Sequence, residues 1–219
     1  MTRRQDRTGR RAILLLAAAA GVAAALLVAT THYVMAPSPV ATAPPGLPEP
    51  GGKVRGAAGA PVVVEVFSDF LCGHCATLAR EIEPALVVRY VEPGVVRLVY
   101  RQFPILGPLS LEAAVASECA ADQRRFWAYH DRLFDRARRG AVRSGRDLDA
   151  IARDLGLDLA AFTTCRAGAA ARQRVEADVR DGVRRGVRGT PTTFVNGQPI
   201  VGAQPLEVFG AAIDAARAR

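Results

Sequence analysis

The chain opens with one long apolar block and then alternates between two spacings of hydrophobic residues. Ala12 to Ala29 is almost wholly apolar, and no charged side chain occurs from Ala12 to Ala36 when His32 is counted as neutral. Pro, Ala and Gly dominate residues 36–53. Val62–Phe67 is a β-branched and aromatic run behind Pro61, the composition of a buried strand. Beyond Cys75, Ala76, Leu78, Ala79, Ile82, Leu86 and Val87 recur at helical spacing, with Pro84 placed to kink the helix before it stops ahead of Glu92-Pro93-Gly94. Residues 95–100 form a second strand and residues 101–108 a loop.

A long helical block follows, over about residues 109–188. Its first helix carries Leu111, Ala114, Val115 and Cys119, and its second Phe126, Trp127, His130, Leu133 and Phe134. Ser144 or Asp147 caps a third, with Leu148, Ile151 and Leu155 as its apolar stripe, and Asp158 caps a fourth that holds Phe162 and Cys165. A fifth, rich in arginine, runs from about residue 167 to 185. The strand pattern returns at residues 192–195, Asn196-Gly197 has the signature of a type I′ hairpin turn, and residues 198–201 pair back. Pro205 opens a last helix with Leu206, Val208, Phe209, Ala212 and Ile213 on one side. The order is β–α–β, a helical insertion, then β–β–α.

Charge changes the picture at one end only. Of the net charge of +8, half lies in residues 1–53, where Arg3, Arg4, Arg7, Arg10, Arg11 and Lys53 face Asp6 and Glu49. The remaining basic excess is mild and has no interleaved aromatics, so a nucleic-acid partner is not expected. The arginines of residues 1–11 read as a cytoplasmic flank, residues 12–35 as an uncleaved signal anchor, and residues 36–53 as a semi-extended linker. A secreted or periplasmic product of signal cleavage is the alternative. On either reading the domain of residues 54–219 stands outside the cytoplasm.

The chemistry concentrates at Cys72-Gly73-His74-Cys75, where the strand ends and the helix begins. The free N–H groups and dipole of a helix's first turn favour a thiolate at Cys72, and a protonated His74 would favour it further. A thiolate that forms easily also leaves easily, so a Cys72–Cys75 disulfide is expected to be a redox couple rather than a staple. The competing reading is half of a zinc site, which needs two further ligands; no second Cys-x-x-Cys exists, and Cys119 and Cys165 stand alone. Glu65, a polar residue within the apolar strand run, is either a buried acid or one that reaches solvent at a strand edge.

Three segments together carry a resemblance: residues 67–75 around the two cysteines, residues 119–130, and Gly189-Thr190-Pro191-Thr192-Thr193-Phe194-Val195-Asn196-Gly197. From about Val54 to its end the chain resembles the thioredoxin superfamily, and more closely its DsbA-like disulfide oxidoreductases. The resemblance implies an α/β thioredoxin fold with a helical insertion between the second strand and the cis-Pro strand. It implies that Cys72 exchanges disulfides with a client and Cys75 resolves, that Pro191 is cis and lies against the sulfurs, and that Thr190 offers its backbone to a client strand. It implies a proton-relay role for Glu65 beneath Cys75, and a second, structural disulfide between Cys119 and Cys165, against the alternative of two buried free thiols. Gly73 stands where DsbA has Pro, as in the Cys-Gly-His-Cys of protein disulfide isomerase.

The function so implied is oxidation of reduced or unfolded extracytoplasmic proteins, without a cofactor, by a monomer recharged by a membrane quinone-linked oxidase of DsbB or VKOR type. A reductase or isomerase on the same fold, a metal-binding or metal-delivery protein, and a non-catalytic interaction module are the competing readings. His130, Trp127, Tyr129 and Phe126 are expected to pack rather than to react.

Overall fold

The computed structural model describes residues 52–219. The basic flank, the signal anchor and nearly all of the linker lie outside the described residues. Among the described residues, no helix is long and apolar enough to cross a membrane.

The strand runs read from the sequence assemble into a single sheet. β1 (Val54–Arg55), β2 (Val62–Ser68), β3 (Val96–Gln102), β4 (Thr192–Val195) and β5 (Gln198–Val201) lie in the order β1-β3-β2-β4-β5. β2 and β3 are parallel, and the other neighbours are antiparallel. β2 is covered on both faces, which explains its nearly continuous apolar run. Val62, Val64 and Val66 pack with Leu78, Ile82, Leu86, Phe209 and Ile213, while Phe67 packs with Phe103, Val187 and Phe194. β3 runs on to Gln102, past the strand end expected at Tyr100, because it pairs with β2 as far as Ser68↔Gln102. Its polar last residue is half satisfied there: the Gln102 side-chain N–H groups donate to Ser117 and Glu118, while Oε1 is buried without a partner.

The helix after β2, α1 (residues 73–91), is not uniform. α-helical Gly73–Thr77 and Glu83–Leu86 alternate with π-helical Leu78–Ile82 and Val87–Val91. Pro84 has no N–H to offer the preceding turn, and wider turns on either side take the place of a simple kink.

The helical insertion holds α2 (Pro108–Asp122), α3 (Phe126–Arg138), α4 (Gly145–Asp154), α5 (Leu159–Ala167) and α6 (Ala169–Arg184). Both residues weighed for the start of α4 take part. Ser144 is the N-cap, and the Asp147 carboxylate accepts its backbone N–H at 2.9 Å. Asp158 accepts the Ala161 N–H at 3.0 Å at the start of α5. The Cys119–Cys165 disulfide is formed and joins α2 to α5. Tyr129, Leu133, Leu148, Ile151 and Phe162 are fully buried beneath it.

Asn196 (φ 44°) and Gly197 (φ 84°) both take the left-handed conformation that the β4–β5 hairpin turn needs. Pro199 is tolerated because β5 is an edge strand. Two details of the last helix, α7 (Leu206–Arg217), differ from expectation. Pro205 is its N-cap rather than its first residue, and Val208 is exposed, since the buried stripe passes through Phe209 and Ile213.

Lys53 also moves. Assigned to the linker by sequence, it is 3% exposed, with its ammonium 2.8 Å from both Glu118 and Asp178. Burial opposes its charge, but Asp178 and Glu118 outweigh that cost and its pKa is raised. The chain is therefore fastened to α2 and α6 before β1 begins.

Candidate active site

Cys72 is the N-cap of α1, in extended conformation, with its carbonyl accepting the Ala76 N–H at 3.0 Å. β2 ends at Ser68, and the next residue fixes the connecting turn. Asp69 is buried, and its carboxylate accepts from Leu71 N at 2.8 Å, Ile105 N at 2.8 Å, Leu106 N at 3.1 Å and the Ser110 hydroxyl at 2.6 Å. It joins the turn before Cys72 to the loop after β3 and to the start of α2. Sequence reasoning missed this residue, whose signal was an acid lying directly between a strand and Phe70.

The two thiols have opposite surroundings. Cys72 is half-buried, Cys75 is 1% exposed, and neither is in a disulfide. Cys72 Sγ lies 3.4 Å from the Thr190 carbonyl oxygen, to which the thiol donates. The Thr190–Pro191 peptide is cis, and the loop before β4 lies against Cys72. The Cys72 pKa is pulled down to about 5, first by a hydrogen bond from the Cys75 thiol, then, against burial, by the Thr190 side chain and the backbone N–H groups of Cys75 and His74. Cys75 moves the other way. Burial raises its pKa, and the hydrogen bond it gives to Cys72 raises it further. The Asp69 N–H reaches its sulfur at 3.5 Å.

His74 acts on the sulfur through its backbone N–H, and its side chain is exposed. Of the two readings of Glu65, the structure shows the buried acid. It is not at a strand edge, because β2 lies inside the sheet. Nor is it an unpaired acid, because Arg101 Nη2 at 3.0 Å and Arg185 Nη2 at 2.8 Å hold its two oxygens. These ion pairs compensate the buried charge, so burial alone does not call for the relay role that the resemblance implies. His130 packs, as expected, among Phe70, Tyr100, Phe126, Trp127 and Phe134, with Nδ1 2.8 Å from Asp131. Among the described residues no group of three or more His, Cys, Asp or Glu could hold a metal ion.

A parallel-centred sheet with a helical insertion, two vicinal-turn thiols at a helix start and a cis-Pro loop against the outer one define a thioredoxin-fold dithiol protein. The chain belongs to the thioredoxin family, whose family model matches residues 49–215. It is 36% identical over 165 residues to the Na(+)/H(+) antiporter NhaA 1 of Salinispora arenicola, a match covering 74% of this chain and 24% of that protein. The chain thus spans about a quarter of the length of that relative. It is 28% identical over 144 residues to a probable disulfide bond formation protein D of Bacillus anthracis, covering 63% of this chain and 66% of that one. Its fold matches the crystal structure of oxidised BdbD from Bacillus subtilis with a TM-score of 0.70 at 22% identity, covering 78% of this chain and 98% of that chain.

Proposed function

We propose that this protein is a thiol–disulfide oxidoreductase that introduces disulfides into reduced or unfolded extracytoplasmic proteins. The observation that carries this reading is the division of labour between the thiols, with Cys72 poised as a thiolate at about 5 and Cys75 held as a buried thiol. In the oxidised protein a client thiolate attacks Cys72, the Cys72–Cys75 bond breaks, and Cys75 leaves and takes up a proton. A second client thiolate then attacks the client sulfur of the mixed disulfide and releases Cys72 as a thiolate. Because Cys72 is a stable anion, it is a good leaving group, which favours passing the disulfide on. Thr190 presents its carbonyl beside Cys72, where an N–H of an extended client segment can pair with it. Neither step calls for a cofactor or a metal.

The likeness to a disulfide bond formation protein supports the direction of the reaction and an extracytoplasmic site. The remaining assignments belong to the same proposal: a monomer, tethered through residues 12–35 and the linker, and recharged by a membrane quinone-linked oxidase of DsbB or VKOR type. The equilibrium of the full-length chain with glutathione tests the direction. An oxidase gives a reduction potential well above that of thioredoxin, about −270 mV; a value near that figure would make the protein a reductase.

A further inference from the structure

The reaction proposed for this site leaves an electron pair on Cys75, a sulfur that burial keeps from solvent. Asp69 meets that sulfur through its backbone. The peptide groups on either side of its Cα both engage the cysteine pair. The N–H before it donates to Cys75 Sγ at 3.5 Å, and the C=O after it accepts the Cys72 N–H at 3.1 Å. The first of these peptides is planar, so its N–H is aimed in part by its other end, the Ser68 carbonyl, which accepts the Phe103 N–H at 2.9 Å. What freedom remains lies in rotation at Asp69 itself.

The side chain removes that freedom. Asp69 is 1% exposed, and among the described residues its carboxylate accepts four hydrogen bonds. Oδ1 takes the Leu71 N–H and the Ser110 hydroxyl, and Oδ2 takes the Ile105 and Leu106 N–H groups. The bond to Leu71, two residues on, closes a turn that Asn closes equally well, so the turn alone does not call for a charge. The other three donors come from the loop after β3 and the first turn of α2, which hold neither cysteine. A buried carboxylate tied to three segments at once is costly to place and rigid once placed.

We propose that Asp69 is a positioning residue for the redox step, its carboxylate holding its own N–H on Cys75 so that this sulfur can carry negative charge when the Cys72–Cys75 bond opens. The proposal rests on the redox reading of the pair. When a client thiolate attacks Cys72, an S–S bond forms to the client and the bond to Cys75 breaks. The electron pair of the broken bond goes to Cys75, which then takes up a proton from solvent. In the reverse step the Cys75 thiol gives its proton to solvent, and its thiolate attacks the mixed disulfide at Cys72 and expels the client thiolate. The N–H is in place before the charge appears and serves both directions. Burial and the hydrogen bond to Cys72 disfavour a Cys75 thiolate, and the Asp69 N–H leads the groups that favour one, ahead of the Ser68 and Thr190 side chains. The charge of the Asp69 carboxylate acts in the opposite sense, because it repels a second anion nearby.

The test follows the reduced full-length chain reacting with glutathione disulfide, quenched in acid and read by mass spectrometry. Cys72 first forms the glutathione mixed disulfide, which Cys75 then resolves. Asp69→Asn keeps the size of the side chain but exchanges one accepting oxygen for a donor, so two of the four bonds are lost. Formation of the intermediate should keep its rate at pH 7, well above the Cys72 value of about 5. Its lifetime at pH 7 should lengthen at least about fivefold, with the pH dependence of resolution displaced to higher pH. A shortened lifetime would show that the charge of Asp69, not the aim of its N–H, governs Cys75. An unchanged one would show that the Phe103 bond aims the N–H unaided; either result overturns the proposal. If Asp69→Asn does not fold, Ser110→Ala decides. It removes one donor from outside the turn and should lengthen the lifetime about twofold or more, and an unchanged lifetime overturns the proposal. If the unsubstituted chain never forms the intermediate, the redox reading itself falls and takes this inference with it.

Discussion

Cys72 and Cys75 are separated by one helical turn, yet their thiols ionise in opposite directions. The spacing and the helix start were legible in the sequence, and they account for the N–H groups of His74 and Cys75 that face the outer sulfur. The leading cause was not legible. It is the thiol of Cys75 itself, which donates to Cys72 because burial keeps it protonated, a fact of packing that local spacing does not carry. A stability prediction follows from the sign of the shift. Cys72 falls from an ordinary thiol value of 9.0 to about 5 on folding, so the stabilisation it lends the reduced protein is complete above about 9 and disappears as the pH drops through about 5. The melting temperature of the reduced chain should exceed that of reduced Cys72→Ser at pH 8, and the gap should close towards pH 5. Cys72 is only half-buried, so solvent screening trims the size of the gap without changing its direction. A gap that widens on acidification would contradict the account.

At the level of elements, most helices and strands could be read from periodicity, since β2 is covered on both faces and the insertion helices carry regular apolar stripes. What escaped were features set by a neighbour. β3 ends where its partner ends, β1 is two residues long and exists by pairing with Leu98 and Val99, and α6 packs at a distance that only glycine permits. A Cβ on Gly182 would lie 2.7 Å from the Phe103 ring and 3.0 Å from the Phe67 ring. Both rings are buried and packed edge to face, so they have little room to yield. Gly182→Val should therefore lower stability by about 2 kcal/mol or more in denaturant unfolding; a neutral result would show that α6 rests less tightly on the sheet. The Cys119–Cys165 bridge closes a separation of 46 residues between α2 and α5. Cys119→Ser with Cys165→Ser should cost about 4 kcal/mol in the chain-entropy account. The Cys72 titration should survive unchanged, since neither cysteine contributes to it.

Across the whole molecule, the sheet and the helical insertion are joined by charge as well as by apolar packing. Lys53 contacts Glu118 of α2 and Asp178 of α6; Arg174 binds Glu118 at 2.9 Å, and Arg101 binds both Asp178 and Glu65. None of this was visible in a sequence reading that placed Lys53 with a proline-rich linker, because the partners lie far away along the chain and no local pattern marks them. Removing one member of a buried set leaves the others uncompensated, so Lys53→Met should destabilise the full-length chain by about 3 kcal/mol, measured by denaturant unfolding. A cost near zero would mean that Arg174 and Arg101 neutralise the two acids without it. Two of the three segments that carried the family resemblance, by contrast, meet where β2 ends, α1 begins and β4 is entered, which is why the cysteines and the cis-Pro loop could be located from sequence.

The central claim is that Cys72 is a thiolate at neutral pH. Thiolate absorbance at 240 nm, followed against pH on the reduced full-length chain with Cys72→Ser subtracted, measures it directly. The account predicts half-ionisation at about pH 5. A midpoint at the ordinary thiol value of 9.0 would contradict it.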